Sequence, residues 1–455
     1  MNFPKKQKST VAFQHAEAIL TLGFLAVILT GTVLLSLPAA SATGQSIGWF
    51  DSLFTSASAV CVTGLVAVDT GTAFSLFGQI VLLLLIQVGG LGFMVFATMI
   101  MVMLGRKISL KGRMLIRESM NTASLSGLGH MTLLYLLLSL GIELLGAAVL
   151  SLRFVPLFGW KRGLWLALFH AVSAFCNAGF DLFGGFSSLT AFSGDPLVLL
   201  TIAVLIILGG LGFSVILETL RNRGGFRALS LHTRIVLLMT AVLLLAGTVF
   251  FWAAERLNPE TLAAYPAGET VLGAFFQSVT LRTAGFNSFD LSGLRDGSKL
   301  FSCLLMVVGA SPASTGGGIK TTTTAALVLL MHSVVRGDSE VNVARRRLPD
   351  DLARRALAVA LLFLSALLTG TLIISLIEDG RFPLEDILFE ASSAMGTVGV
   401  SAIGTPNLTP ASRAALLPMM FFGRVGPLTM AVAIAKRQGK TKPVSKYPEE
   451  RIMIG

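Results

Sequence analysis

Four short segments of one pattern recur along this chain, each too short to cross a bilayer and each set between long apolar runs. The first starts at Phe50-Asp51-Ser52-Leu53-Phe54 and closes with Val-Cys-Val-Thr-Gly-Leu at residues 60–65. Phe169 to Phe180 reads FHAVSAFCNAGF, Phe275 to Phe286 reads FFQSVTLRTAGF, and Phe389 to Val400 reads FEASSAMGTVGV. Aligned on their last glycines, Gly64, Gly179, Gly285 and Gly399, they recur roughly every 110 residues, and such a period sets the architecture before any local signal does.

The aligned columns carry the chemistry. Three residues before the glycine stand Cys61, Cys176, Arg282 and Gly396, and two before stand Val62, Asn177, Thr283 and Thr397. Thr63, Ala178, Ala284 and Val398 precede it, while Leu65, Phe180, Phe286 and Val400 follow. Side chains vary while the glycine stays. A site made of side-chain ligands keeps its ligands; a site made of backbone carbonyls keeps the residue that permits the backbone shape. Four such loops around one axis form a ring of carbonyls able to replace an ion's hydration shell. Thr397-Val398-Gly399 matches the start of the channel signature TVGYG.

Composition places these loops in a membrane. Of 455 residues, 54% are hydrophobic and 13% charged, the profile of a polytopic membrane protein rather than a soluble enzyme. Apolar runs of ~20 residues span the hydrocarbon, and eight are expected, over 17–38, 76–104, 131–152, 196–220, 234–254, 300–331 (interrupted), 355–377 and 412–435. The net charge of +11 is not a nucleic-acid signal, because most of the Lys and Arg fall on one side. They lie at Lys5, Lys6 and Lys8, in 106–117, 221–234 and 320–355, and in the tail from Lys436 to Arg451. That bias makes the basic side cytoplasmic, with both termini inside. Lys5 to Lys8, the first apolar run and Ala40-Ser41-Ala42 imitate a secretory signal, but the run is too long for one and is kept as a span. Cys61, Cys176 and Cys303 form neither a disulfide framework nor a zinc pattern.

The expected fold is an all-α polytopic membrane protein of four parallel helix–pore loop–helix repeats around one pseudo-fourfold pore. Their bounds are 1–120, 121–230, 231–345 with an interrupted second helix, and 346–455 with a cytoplasmic tail. Asp51 is the expected N-cap of the first pore helix, and the linker 336–355 reads as a solvated cytoplasmic turn or a docking surface for a soluble partner, the turn being the preferred reading.

A second shared feature follows within each second helix. Gly89 and Gly209 each open Gly-Gly-Leu-Gly-Phe, Gly309 opens GASPASTGGG, and Gly423 opens Gly-Arg-Val-Gly-Pro. For the first two copies, close helix packing through small residues is the expectation. The third, Gly309, Ala310, Ser311, Pro312, Ala313, Ser314, Thr315, Gly316, Gly317 and Gly318, does not hold as helix. Irregular backbone at membrane depth survives only in protein or facing a water-filled cavity, which makes this stretch a candidate gate. It is no phosphate loop, since Ile319 separates the last glycine from Lys320 and no nucleotide site is expected. Arg424 sits in the apolar stretch 416–435, where an arginine costs ~3 kcal/mol or more unless it faces protein, water or a partner. The expected place is the pore, beside carbonyls or hydroxyls such as Ser311 and Ser314 of the broken helix.

Two other classes fit the sequence less well. A sodium- or proton-coupled secondary transporter often has inverted repeats and ionisable residues at the midplane; here the repeats are parallel, and Glu143 and Glu390 do not recur. An enzyme is disfavoured, because His15, His130, His170, His232 and His332 pair with no acidic or cysteine motif. Asp69, Asp181 and Asp290 follow filter glycines closely and are candidates for concentrating cations at the mouth.

Together, the VTGL, NAGF, TAGF and TVGV loops, GGLGF, the break ending GIK-TTT and the FxGRxGP motif resemble the membrane subunit of bacterial Ktr/Trk potassium-uptake systems, closer to the Ktr branch. The resemblance covers essentially the whole chain. It implies a potassium-selective pore, a homodimer in the lipid of the bacterial plasma membrane, and a cytoplasmic ring of nucleotide-binding regulatory subunits, often with sodium as activator. It puts the filter at 62–65, 177–180, 283–286 and 397–400, the gating loop at 309–318 and the pore arginine at Arg424. None of the loops has the second glycine of TVGYG, so a shorter filter is expected.

Overall fold

Where the helices begin and stop is decided by apolar length, caps and glycines. The computed structural model describes residues 16–92, 128–222, 224–338, 340–343 and 346–426. The chain runs α1 (Ala16–Ser36), α2 (Trp49–Val60) and α3 (Leu76–Leu91), then α4 (Leu128–Phe158), α5 (Trp160–Phe175), α6 (Pro196–Leu211) and α7 (Phe213–Arg221). It continues with α8 (Leu231–Glu255), α9 (Ala267–Thr280), α10 (Asp296–Val307) and α11 (Thr321–Arg336), and ends with α12 (Asp350–Glu378), α13 (Leu384–Gly396) and α14 (Pro410–Val425). Among the described residues the only strands are β1 (Asn342–Val343) and β2 (Arg346–Arg347), an antiparallel pair in the linker expected to be a turn.

Side-chain caps set several starts. Ser75 Oγ accepts from Gly78 N at 3.3 Å, Asp195 Oδ1 from Leu197 N at 3.1 Å, and Thr409 Oγ1 from Ser412 N at 3.3 Å. Each satisfies an orphan donor of the first turn, and Pro196 and Pro410 occupy positions where no donor is needed. Asp51 is not the cap of α2. Gly48, with φ of 94°, takes that place, and Asp51 lies in the first turn.

Among the described residues, three helices are long and apolar enough to cross a membrane unbroken: Met131–Phe158, Leu231–Glu255 and Asp351–Glu378. The single span expected over 196–220 is instead α6 and α7, bent by 98° at Gly212. The cause is local. Gly212 has φ 92° and ψ 139°, outside the helical well, and Gly92 (83°, 133°) and Gly426 (93°, 140°) repeat that geometry at the ends of α3 and α14. The glycines of GGLGF therefore break the helix as well as pack it, correcting the expectation of packing alone. The interruption expected within 300–331 is present, between Val307 and Thr321. The remainders of spans 76–104 and 412–435, the basic stretch 106–117, Lys5 to Lys8 and the tail lie outside the described residues.

The packing is cyclic. Each first helix lies on its own short helix: α1 on α2, α4 on α5, α8 on α9 and α12 on α13. Each second helix packs on the short helix of the following unit, α3 on α5, α6 on α9 and α10 on α13, and α14 returns to α2. Charges brace these seams. Lys299 on α10 meets Asp386 in the first turn of α13 at 2.6 Å, and Arg413 on α14 meets Asp51 in the first turn of α2 at 2.9 Å. Each acid also complements the positive end of its helix dipole. Glu255 and Glu378 end the first helices of the third and fourth units, both fully buried. Glu255 accepts from Asn258 Nδ2 and Thr261 Oγ1 at 2.7 Å, and Glu378 from Arg381 and Thr409. The short helices form the core, while leucines on the first helices, among them Leu137, Leu144, Leu245 and Leu368, stay exposed as lipid-facing surface.

Candidate functional site: a cycle of glycine turns above a broken helix

The short helices end pointing at one another, and each then makes the same turn. Two residues before the aligned glycine the backbone is left-handed, with φ of 49° at Val62, 57° at Asn177, 70° at Thr283 and 53° at Thr397. The glycines are left-handed as well, at 88°, 70°, 87° and 99° for Gly64, Gly179, Gly285 and Gly399. A non-glycine residue in this region costs roughly 1–2 kcal/mol. That cost is carried at the same place in all four turns, so the backbone shape is imposed by the surroundings. Sequence reasoning missed this position because Val, Asn and Thr share no side-chain signal.

The turns touch in a closed cycle. A Cβ added to Gly64 would lie 2.5 Å from Ala178 O, one on Gly179 2.7 Å from Ala284 O, and one on Gly285 2.5 Å from Val398 O; one on Gly399 would overlap Thr63 O. Side chains are excluded by neighbouring carbonyls. The flanking residues Leu65, Phe180, Phe286 and Val400 are buried with them. All sixteen residues expected at the filter thus lie in the four turns that meet here, every one buried except the half-buried Gly399. Each short helix ends there, which puts the negative end of its dipole toward the common centre.

A hydroxyl holds each turn. Ser58 and Ser393 accept from Gly64 N and Gly399 N at 3.0 Å, whereas Ser173 and Thr280 donate to Phe180 O and Phe286 O at 2.7 Å. The cycle is therefore not fully regular, because two of its outermost carbonyls are tied back to their short helices. Repeat alignment contains the signal, a hydroxyl five or six residues before each glycine.

Beneath the turns runs the interrupted segment between α10 and α11. Thr315 Oγ1 donates to Phe175 O at 3.0 Å, and Gly317 N donates to Thr397 Oγ1 at 3.1 Å. Gly316 and Gly317 have no room for a Cβ because Thr283 and Thr397 stand against them. Ser311 N and Thr315 N donate to Gly210 O (3.0 Å) and Gly209 O (3.2 Å), supplying the open carbonyl end of α6. Arg424 does the same for α3. Its guanidinium donates to Gly89 O, to Gly90 O at 2.9 Å, and to Thr315 O of the loop. The expected carbonyl contact is present, but Ser311 and Ser314 are not its partners: Ser311 pairs with Thr321 at 2.8 Å, and Ser314 donates to Ser311 O. Lys320 escaped the sequence reading. Its Nζ donates to Gly316 O at 2.7 Å, so two cations hold neighbouring loop carbonyls.

The buried acids and histidine of the short helices and their neighbours are engaged in local bonds. Glu390 accepts from Ser401 and Thr405 at 2.6 Å, and Glu143 accepts from Gln87 Nε2 at 3.0 Å. His170 is fixed by Leu166 O at 2.7 Å and stacks on Phe183. At the mouth, Asp69 caps a one-turn helix and accepts from Gly185 N at 2.6 Å. Asp181 accepts from Phe183 N and Asp290 from Ser292 N. Burial, with Asp69 nearby, pushes the Asp181 carboxyl up to about 6.

This assembly of broken helices, re-entrant turns and neutral buried backbone is that of an ion-conducting membrane protein. The chain belongs to the TrkH family of cation transport proteins, whose family model matches residues 1–444. It is a transport protein rather than an enzyme. It is similar to the Ktr system potassium uptake protein B of Bacillus subtilis, with 41% identity over 96% of each chain. The protein of that name from Vibrio alginolyticus is 40% identical, over 96% of this chain and 94% of that one. The potassium/sodium uptake protein NtpJ of Enterococcus hirae is 36% identical over 96% of each. The crystal structure of the potassium transporter TrkH from Vibrio parahaemolyticus shares the fold, with a TM-score of 0.71, 16% identity, and coverage of 95% of this chain and 86% of that one.

Proposed function

We propose that this chain is the potassium-translocating membrane subunit of a Ktr-type uptake system, and that the cycle of glycine turns is its selectivity filter. The observation that carries the reading is that each turn abuts the next through carbonyls, with no room for a side chain. In this reading the protein has eight spans, in four repeats over 1–120, 121–230, 231–345 and 346–455, around a pseudo-fourfold axis. A dehydrating potassium ion exchanges water for carbonyls of 62–65, 177–180, 283–286 and 397–400. The carbonyl ends of the four short helices favour its charge. Because Phe180 O and Phe286 O are engaged by hydroxyls, the outer end of the filter is its weaker end.

The segment 309–318 is the gate, and Arg424 its latch. The loop fills the space under Thr283 and Thr397, and Arg424 ties it to the end of α3. The protein works as a homodimer in the bacterial inner membrane, with both termini cytoplasmic. A cytoplasmic nucleotide-binding ring moves the loop, and sodium serves as activator. The names of the Ktr and potassium/sodium relatives support a multi-component uptake system and a part for sodium.

The test is rubidium uptake in cells lacking their own potassium uptake, with and without sodium. It compares the intact chain with one lacking residues 312–315. Uptake that rises, and becomes independent of the regulator, on shortening the loop supports the gate. A folded, shortened protein that conducts less than the intact chain overturns it.

A further inference from the structure

Arg282 stands three residues before Gly285, at the end of α9, and is 7% exposed. Its Nε has no hydrogen-bond partner. No carboxylate pairs with it among the described residues. A buried guanidinium without a carboxylate partner is costly, and its Nε goes unbonded in this arrangement. The side chain lines a small cavity together with Ile206, Gly210 and Val279, and with Ala310 at the start of the loop. That cavity has room for about one water.

The carbonyls beside this cavity are the ones the loop covers. Ser311 N and Thr315 N satisfy Gly210 O and Gly209 O. When the loop withdraws, both acceptors lose their donors, at about 1–3 kcal/mol for each group left bare in protein. At the matching end of α3, Gly89 O and Gly90 O accept from an arginine, Arg424, with Gly92 N also donating to Gly89 O. The repeat thus displays both solutions, loop amides at one helix end and a guanidinium at the other.

We propose that Arg282 is a positioning residue for the open gate: its guanidinium takes over the α6 carbonyls, Gly210 O first, when the loop leaves them. The proposal rests on the reading of 309–318 as a gate. In the closed protein Arg282 is a held reserve, with no carboxylate partner and its Nε unbonded, in the cavity that Gly210 also lines. The cost of its isolation falls on the closed state, and the bonds it gains fall on the open one. Both effects favour opening.

The experiment uses four purified full-length proteins: intact, Arg282→Met, the chain lacking 312–315, and the two changes combined. Thermal stability and rubidium flux into liposomes are measured for each. Met fills the volume of the stem without a charge. With the loop intact, Arg282→Met is expected to keep or raise thermal stability and to lower flux about tenfold, the weight of one charged hydrogen bond. In the shortened chain, where Thr315 and its bond to Gly209 O are gone, the same substitution is expected to lower stability, because Arg282 there takes over the carbonyl end that the loop no longer covers. Arg282→Lys should recover part of the flux, and it serves as the charged variant if Met folds poorly. A purely structural arginine would lower stability in both backgrounds, and that result overturns the proposal, as does unchanged flux with the loop intact. Loop shortening that leaves flux unchanged instead overturns the gate itself, and the role of Arg282 falls with it.

Discussion

Arg424→Gln separates the latch from the scaffold. The guanidinium makes three bonds to carbonyls, one to Thr315 O on the loop and two to the end of α3. A hydrogen bond from a charged group contributes about 1.5–3 kcal/mol. Losing the Thr315 bond should therefore shift the closed-to-open ratio by roughly 10- to 100-fold, at 1.4 kcal/mol per decade. The positive charge adds a second barrier. A monovalent cation passing within about 5 Å is opposed by ~3 kcal/mol at an effective dielectric of 20. Glutamine retains two donors for Gly89 O or Gly90 O, so folding should lose only about 1–2 kcal/mol. The assay is rubidium flux into liposomes holding the purified protein without its regulator, with thermal unfolding measured in parallel. Regulator-free flux should rise at least tenfold, and Arg424→Lys should keep part of the block. A protein of normal stability whose flux is unaltered would refute the latch.

Gly285→Ala places a Cβ 2.5 Å from Val398 O at a φ of 87°; discrimination of potassium over sodium should fall, read as competition of sodium with rubidium uptake, whereas Cys61→Ala should leave it intact. Lys299→Met strands Asp386 at a partly buried seam and should cost about 1–3 kcal/mol in thermal or denaturant unfolding, and Asp386→Asn in the same chain should recover part of it. At the mouth, Asp181 is protonated near pH 6 because burial raises it, so its charge is present above that pH and lost below. Uptake at low ionic strength should fall as pH drops from 7 to 5, and Asp181→Asn should flatten that fall; an equal fall at high ionic strength would remove the electrostatic cause.

The legible parts of this protein were those written in glycine and in repetition. The four turns were visible because a backbone site leaves one invariant residue in an otherwise variable column. The interruption between α10 and α11 was visible because Pro312 and four glycines cannot sit quietly in a span. The breaks at Gly92, Gly212 and Gly426 were hidden for the opposite reason: two or three glycines in an apolar helix read equally as packing or as a stop. Asp51 misled because an acid near a helix start serves as cap or as dipole partner, and its real partner, Arg413, lies 362 residues away. Arg424 was found through its cost in hydrocarbon. Lys320 was missed since it borders the charged cytoplasmic stretch and looked unremarkable there. Its bond to Gly316 O depends on how the loop folds back, which no local pattern encodes.

The return of α14 onto α2 has a consequence for how the protein is made. Ribosomes deliver the units in order, so the first short helix enters the membrane long before its last neighbour exists. Until then Asp51 lacks Arg413, and the carbonyls of Gly89 and Gly90 lack Arg424. Contacts so distant along the chain carry a heavy loop-closure cost and form slowly. Assembly should therefore pass through an open crescent whose two ends are polar and sticky, the state most exposed to aggregation and proteolysis. The final helix acts as a keystone, and quality control that samples the crescent would weigh substitutions at this one seam more heavily than equal changes at the other three.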